Sequence, residues 1–263
     1  MTRLDAALAE RGFARSRTHA QQLITAGAVF VNGTNVTKAS ASVVEGDELR
    51  VDAEQQYVSR AAYKLLGALE AFPVDPRGRF ALDAGASTGG FTQVLLERGA
   101  QRVLALDVGH GQLAPILRTD DRVIVVEGEN VRDLSAARLA ELSRSEQLPS
   151  LVVADLSFIS LELVLPALIA SSSSYADYLL LIKPQFEVGK GGVREGVVRD
   201  VDARADAIER VLWTAHDLGL KVAGLTRSAL LGGHGNIEVV AWFSHTIGSS
   251  PTEWTTKVRE VSA

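Results

Sequence analysis

Apolar and polar positions follow two different periods along this chain. Leu4, Ala7, Leu8 and Ala9 recur at helical spacing and Gly12 follows as a stop. Ser16 then stands where a helix N-cap belongs, Ala20, Leu23 and Ile24 form the stripe of a second short helix, and Gly27 ends it. Residues 28–36 read as a hairpin about Asn32-Gly33, whose turn requires positive φ. Val43-Val44, the turn Glu45-Gly46-Asp47 and Leu49-Arg50-Val51 predict a further strand pair. Two short helices and a small sheet therefore fill the first fifty or so residues, residues 1–53.

A polar stretch without periodicity marks a linker over residues 54–60. A helix is predicted from Ser59 to Phe72, with Ala61, Ala62, Leu65, Leu66 and Leu69 on its apolar face and Lys64 inside it. Five uninterrupted apolar runs then alternate with helical patterns: Phe80-Ala81-Leu82, Val103 to Leu106, Val123 to Val126, Leu151 to Ala154 and Tyr178 to Ile182. Runs without polar alternation suit strands buried on both faces, and alternation with helices predicts a doubly wound, mostly parallel sheet. A helix from Asp202 to Leu218 and strands at Val222 to Leu225 and Ile237 to Phe243 complete this α/β domain, placed at residues 61–248, with 249–263 as a tail. The tail opens on a short capped helix at Ser250-Pro251.

Composition narrows the chemistry. Of 263 residues, none is cysteine, which removes disulfides, zinc–thiolate sites and thiol nucleophiles. Nothing in the pattern forms a metal site. The longest apolar stretches fall far short of the ~18 residues that span a bilayer, and Met1 to Glu10 lack the apolar core of a signal peptide. The expectation is a soluble, cytoplasmic, monomeric protein without membrane contact. The net charge of −5 argues weakly against nucleic-acid binding by the whole chain, yet the charge is uneven. Arg3, Arg11, Arg15, Arg17 and Lys38 against Asp5 and Glu10 give the first 42 residues +3, which leaves −8 for the rest. A basic module on an acidic body hints at a nucleic-acid-binding appendage, the alternative being a solvated charged face. Arg15 and Arg17 flank the N-cap Ser16, where free amides and guanidinium forks suit phosphate.

The first buried strand runs into Asp83-Ala84-Gly85-Ala86-Ser87-Thr88-Gly89-Gly90-Phe91 and then a helix. Glycines there allow a ligand to approach backbone amides. Ser87 occupies the second glycine position of the dinucleotide fingerprint, and the Gly-Lys-Ser/Thr of a P-loop is missing. Asp107 ends the second strand, where an acidic side chain accepts hydrogen bonds from ribose hydroxyls. An adenosyl ligand without a pyrophosphate fits better than NAD, and a plain glycine-rich turn is the bland alternative. The candidate cofactor residues are Asp83, Gly85, Ser87, Thr88, Gly89, Gly90, Phe91, Asp107, Val108, Asn130 and Asp155. Asp155 and Lys183 directly follow the fourth and fifth strands, and Glu238 opens the last. If that strand is antiparallel, all three share the carboxyl edge, where ligands bind in open sheets. A purely structural ion-pair network is the alternative.

Arg3-Leu4-Asp5, Ala14-Arg15-Ser16-Arg17 and Val29-Phe30-Val31-Asn32-Gly33 resemble the S4 RNA-binding domain. The resemblance implies structured RNA as partner; a protein-interaction module is the other reading. Lys64, Asp155, Lys183 and Glu238 stand in the order of the Lys-Asp-Lys-Glu tetrad of FtsJ/RrmJ-type 2′-O-methyltransferases, which the large domain resembles. The combination resembles the TlyA family of ribosomal RNA 2′-O-methyltransferases, often labelled hemolysin-like, through residues 83–92, Ala154-Asp-Leu-Ser-Phe-Ile-Ser160 and Lys183-Pro-Gln-Phe-Glu-Val-Gly-Lys190. That resemblance implies S-adenosylmethionine as cofactor and a ribose hydroxyl of rRNA as substrate, on cytidine in 23S and 16S rRNA. It implies Lys183 as base, Lys64 beside it, Asp155 and Glu238 as orienting carboxylates, and RNA contacts from Arg3, Arg15, Ser16, Arg17, Lys38, Arg60 and Lys190. The glycine-rich stretch 187–193 reads as a lid touching RNA or a flexible loop. Two further functions compete: a non-catalytic rRNA-binding assembly protein, and a membrane-active hemolysin, which no amphipathic cationic helix supports.

Overall fold

The computed structural model describes residues 2–14, 16–25, 28–51, 57–189 and 195–263. Arg15, Gly27, the stretch 52–56 that opens the expected linker, and Lys190 lie outside the described residues. The chain divides into two compact units, Met1–Arg60 and Ala61–Ala263.

In the first unit, β1 (Thr2–Arg3) leads into α1 (Leu4–Glu10), then α2 (Arg17–Thr25), β2 (Val29–Val31), β3 (Thr34–Asn35), β4 (Ser42–Val43) and β5 (Leu49–Val51). The Ser16 hydroxyl caps α2 by accepting from the His19 N–H at 3.1 Å. Asn32 (φ 50°) and Gly33 (φ 77°) supply the positive φ of the hairpin. One pairing differs from the sequence expectation. β4 and β5 do not pair with each other: β4 pairs antiparallel with β1, and β5 with β2. The turn at 45–47 instead joins strands of two different small sheets, and Arg11 braces it by donating to the carbonyls of Asp47 and Val44. Leu4, Leu8, Ala20, Ile24 and Val29, all buried, form the core.

The second unit continues with α3 (Ala62–Ala71), β6 (Phe80–Ala84), α4 (Gly90–Glu97), β7 (Arg102–Asp107), α5 (Pro115–Arg118), β8 (Val123–Glu127), α6 (Ala136–Ser143), β9 (Leu151–Ala154), α7 (Leu161–Ala170), β10 (Asp177–Ile182), α8 (Pro184–Glu187), α9 (Val201–Asp217), β11 (Lys221–Arg227), β12 (Val239–Ser244) and α10 (Thr255–Ser262). Seven strands form one sheet in the order β11-β12-β10-β9-β6-β7-β8. Only β12 runs against its neighbours. The chain moves outward from β6 through β7 and β8, then returns to the other side of β6 with β9. The β6/β9 boundary is therefore the switch point at which crevices open beyond the carboxyl ends. Both sheet faces are covered, which is why the strands carry apolar runs: Leu82, Leu104, Val152, Leu180 and Phe243 are fully buried.

The expected tail belongs to this core. α10 packs on α9, and Val258 and Val261 are buried in the same cluster as the sheet. Before it, Ser249 pairs with Val222 in both directions, N–H to carbonyl at 3.0 and 3.1 Å. The pairing needs Gly248, whose φ is +110° and on which a Cβ would lie 2.3 Å from the Val222 carbonyl oxygen. Gly248→Ala is expected to cost about 2–4 kcal/mol from strain and backbone overlap, lowering Tm by roughly 5–15 °C. An unchanged thermal melt would show that the turn relaxes freely.

Candidate functional site

The fold brings the four charged candidates together by register. Ile182 pairs with Val239 across β10 and β12, so Lys183 and Glu238 leave the sheet side by side. Leu180 pairs with Ala154, which sets Asp155 on the adjacent strand end. Lys64 comes from the first turn of α3. Its ammonium lies 2.7 Å from Glu238 Oε2 and 3.6 Å from Asp155 Oδ2. Lys183 Nζ lies 2.6 Å from Asp155 Oδ1 and donates to Ser157 Oγ at 2.9 Å. The short contact with Oδ1 is a charge contact off hydrogen-bond alignment, so that oxygen has no aligned donor. Gln185 Nε2 donates to the other Glu238 oxygen at 3.2 Å. The result is a linear series, Lys183–Asp155–Lys64–Glu238–Gln185, with two cations and two anions. All four charged side chains are largely buried, Glu238 to 2% exposure. Charges so placed are tolerated only when paired.

Two loops hold this geometry. Beyond the Lys183–Ser157 bond, Ser160 Oγ donates to Glu187 Oε2 at 2.5 Å and the Leu161 N–H donates to Oε1 at 2.9 Å. Burial pushes the Glu187 carboxyl above its ordinary range. The rings of Phe158 and Phe186 meet at 5.1 Å. Phe158 is 90% exposed and sits at φ 64°, a left-handed conformation that costs a bulky residue about 1–2 kcal/mol. A large apolar ring held strained in solvent beside the ion series marks a surface made for a ligand.

A cavity of about 360 Å³ opens at the switch point against Asp155. Gly85 and Ser87 form one side; a Cβ on Gly85 would lie 3.0 Å from the Asp155 carbonyl oxygen. Asp107 lines it, but both its oxygens already hold the loops: Oδ2 accepts from the Ser87 N–H at 2.8 Å and Oδ1 from the Gly109 N–H at 2.7 Å. Each oxygen keeps a second lone pair for a ligand. Val108, Val131 and Leu156 supply apolar walls. Glu129 is a third carboxylate on the cavity, after Asp107 and Asp155. Arg138 grips it with two hydrogen bonds, at 3.0 and 2.8 Å, and holds its carboxyl below the usual range. Among the described residues no lysine or arginine lines the cavity. The lining therefore presents carboxylate oxygens and no cationic side chain, although Arg138 pairs with Glu129 and the two lysines with Asp155 from behind, which suits a ligand rich in hydroxyls and opposes a pyrophosphate.

The remaining cofactor candidates fall elsewhere. Thr88, Gly89, Gly90 and Phe91 do not line the cavity: Phe91 is core, and Gly89 packs against Leu113 and Leu117. Asn130 is exposed and accepts from the Arg132 N–H at 3.1 Å; its neighbours Glu129 and Val131 face the cavity instead. Glu129, Gln112, Leu156, Ser157 and Phe158 were not selected from sequence. Leu156, Ser157 and Phe158 carried a signal, since they directly follow Asp155 in the segment 154–160. Asp83 is fully buried, takes the Thr92 hydroxyl at 2.6 Å, and leaves Oδ1 without a partner. It ties β6 to α4 rather than touching the cavity. In the first unit Arg3, Arg17, Lys38 and Arg60 are exposed, as is Ser16.

Geometry and fold define an α/β cofactor-binding domain joined to a small helix-and-sheet module. The chain matches the FtsJ-like methyltransferase family over residues 57–245 and the S4 domain over residues 2–49, and it belongs to the FtsJ-like methyltransferase family. The 16S/23S rRNA (cytidine-2′-O)-methyltransferase TlyA of Mycobacterium tuberculosis is 50% identical over 91% of this chain and 88% of its own. Hemolysin A of Brachyspira hyodysenteriae is 39% identical over 92% and 99%. A solved Streptococcus thermophilus chain bearing a hemolysin name is 37% identical, covers 99% of this chain and 94% of its own, and superposes with a TM-score of 0.75.

Desolvation, then the nearby Asp155 and Asp107 charges, push the Asp83 carboxyl up to about 7 against hydrogen bonds from Thr92. The unfolded chain sheds this proton near pH 3.8 while the folded chain keeps it to about 7. Stability should therefore fall as pH rises from about 4 to 7 and level off above, at roughly 1.4 kcal/mol per unit. Asp83→Asn is expected to flatten this part of the profile in urea titrations; an identical slope in the variant would assign it to other groups.

Proposed function

We propose that this protein is an S-adenosylmethionine-dependent 2′-O-methyltransferase of ribosomal RNA, acting on cytidine in 23S and 16S rRNA as a cytoplasmic monomer. The observation that carries the reading is the position of Asp155. It faces the acid-lined cavity on one side and touches both lysines on the other, so cofactor and ion series share a border.

S-adenosylmethionine fits the cavity by charge and shape, and when bound it supplies an electrophilic sulfonium methyl. Asp107 and Glu129 would hold its hydroxyls and adenine edge, Gly85 would let it approach the backbone, and Val108, Val131 and Leu156 would flank the ring. A ribose 2′-hydroxyl is a weak nucleophile at neutral pH. Lys183, having released its own proton, would accept the hydroxyl proton at Nζ. Ser157 fixes Nζ, while Asp155, Lys64 and Glu238 balance the charge that changes there. Much of the acceleration comes from alignment of hydroxyl oxygen and methyl carbon at contact distance. Phe158 offers a stacking face for a base beside the reacting ribose. No helix among the described residues is long and apolar enough to cross a membrane.

Two measurements test this. Asp107→Ala should weaken cofactor binding by about 1–3 kcal/mol, because the ligand hydroxyls lose their carboxylate acceptor; unchanged affinity by calorimetry would remove Asp107 from the site. Lys183→Ala should slow single-turnover methyl transfer roughly 10²–10⁴-fold with cofactor and rRNA binding little changed. Lys183→Arg should stay equally slow, since guanidinium does not release a proton. A near wild-type rate in Lys183→Arg would exclude the base role.

A further inference from the structure

Among the described residues of the first unit, Asp5 is the one acidic side chain that is closed off from solvent, and cationic side chains help to close it off. It lies just beneath the surface with no exposed area, sheathed by Arg3, Arg17 and Gln21. Its carboxylate accepts from Arg3 Nε and an Arg3 terminal nitrogen, both at 3.1 Å. It also accepts from Arg17 at 3.4 Å, from Gln21 Nε2 at 2.8 Å and from the Ala6 N–H at 2.9 Å. The Arg3 hydrogen bond, then that of Gln21, holds the carboxyl well below its ordinary range, so it stays ionised. The Arg3 and Arg17 side chains remain 52% and 59% exposed. Each presents its remaining N–H donors to solvent, and together with Asp5 they leave a net positive charge at the surface. Arg11 is a contrast: both its terminal nitrogens are spent on the carbonyls of Asp47 and Val44.

We propose that Asp5 is a positioning residue for RNA: it holds Arg3 and Arg17 side by side as a preformed clamp for a backbone phosphate. The proposal rests on the reading of this chain as an RNA methyltransferase. A bare pair of arginines so close would repel and sample many rotamers, and binding would then have to order both. One carboxylate between them removes the repulsion and fixes the forks, so the phosphate meets donors already in place. Asp5 does not touch the RNA.

The sign of the effect makes the clamp testable. By net charge alone, Asp5→Asn removes an anion from a basic surface and should tighten binding and steepen its salt dependence. The clamp predicts the reverse. Anisotropy titrations of the full chain with a structured 23S rRNA transcript, over a KCl series, should show roughly tenfold weaker binding and a log–log salt slope shallower by about one. Arg3→Ala placed on top of Asp5→Asn should add little, since the two act as one device. Arg3→Lys keeps the charge but cannot make the two-pronged grip, and should also weaken binding; its helical signal and melt report whether the unit stays folded. Cofactor affinity should be unchanged throughout. Asp5→Asn that stays folded and binds as tightly as the parent, or more tightly, overturns the clamp. If Asp5→Asn loses its fold, folded Arg3→Lys decides: weaker binding supports the clamp and unaltered affinity overturns it. A parent chain that does not bind rRNA at all overturns the underlying reading instead, and is seen in the first titration.

Discussion

The catalytic edge depends on the carboxylate of Asp155. Two ammonium groups reach within 3.6 Å of it from opposite ends of the sequence, Lys64 from α3 and Lys183 from β10. Lys64 shares it with the closer Glu238, but for Lys183 it is the anionic partner, and desolvation of an unpaired charge costs several kcal/mol. Asp155 in turn is fixed by its backbone: its N–H donates to the Ala84 carbonyl at 3.3 Å, across the switch point. The carboxylate that separates the lysines is thus set by the same strand boundary that opens the cavity. Cavity and ion series are one consequence of the order β9-β6 in the sheet.

The antiparallel β12 follows from the same requirement. A parallel last strand would deliver its first residue to the opposite edge, and Glu238 would stand a full strand length from Lys64. Reversal, achieved by slotting β12 between β10 and β11, brings the start of a strand to the edge where all others end. Glycine then makes room: a Cβ on Gly232 would lie 2.1 Å from Glu238 Oε1. Asn236, buried two residues earlier, binds the Gly196 and Gly233 carbonyls and the Val198 N–H, so the approach to Glu238 is as firmly held as its end.

What could be read from the sequence was whatever a single strand or loop decides. Uninterrupted apolar runs marked the buried strands because both faces are covered, and the residues just after them, Asp107, Asp155 and Lys183, fell on the carboxyl edge. Choices made by distant partners were hidden. Val43-Val44 looked like the mate of Leu49–Val51, but the strand forms at Ser42–Val43 and pairs with β1 instead. Which of three neighbours faces the cavity was also hidden: Glu129 and Val131 line it and Asn130 does not. Val258 and Val261 gave too short a stripe to reveal that α10 completes the core. Asp5 looked like one more surface charge; only the fold shows three side chains converging on it.

The two units differ in charge: residues 61–263 carry the whole net charge of −5, and residues 1–60 sum to zero. The cavity needs carboxylates to hold a cationic ligand, and the second unit carries the chain's excess negative charge. A polyanion such as RNA is repelled by the same groups, and within a Debye length of about 8 Å at physiological salt that repulsion is not screened. The cations that stand at the cavity's acids are spent on them, Arg138 on Glu129 and Lys64 and Lys183 on Asp155. The first unit is net neutral, seven Lys and Arg against seven Asp and Glu over residues 1–60, so what it sets apart from the cavity is a local cluster of arginines rather than net positive charge. What such a unit can offer a polyanion is therefore the arrangement of particular guanidiniums, Arg3 and Arg17 on Asp5 among them, and not an overall field.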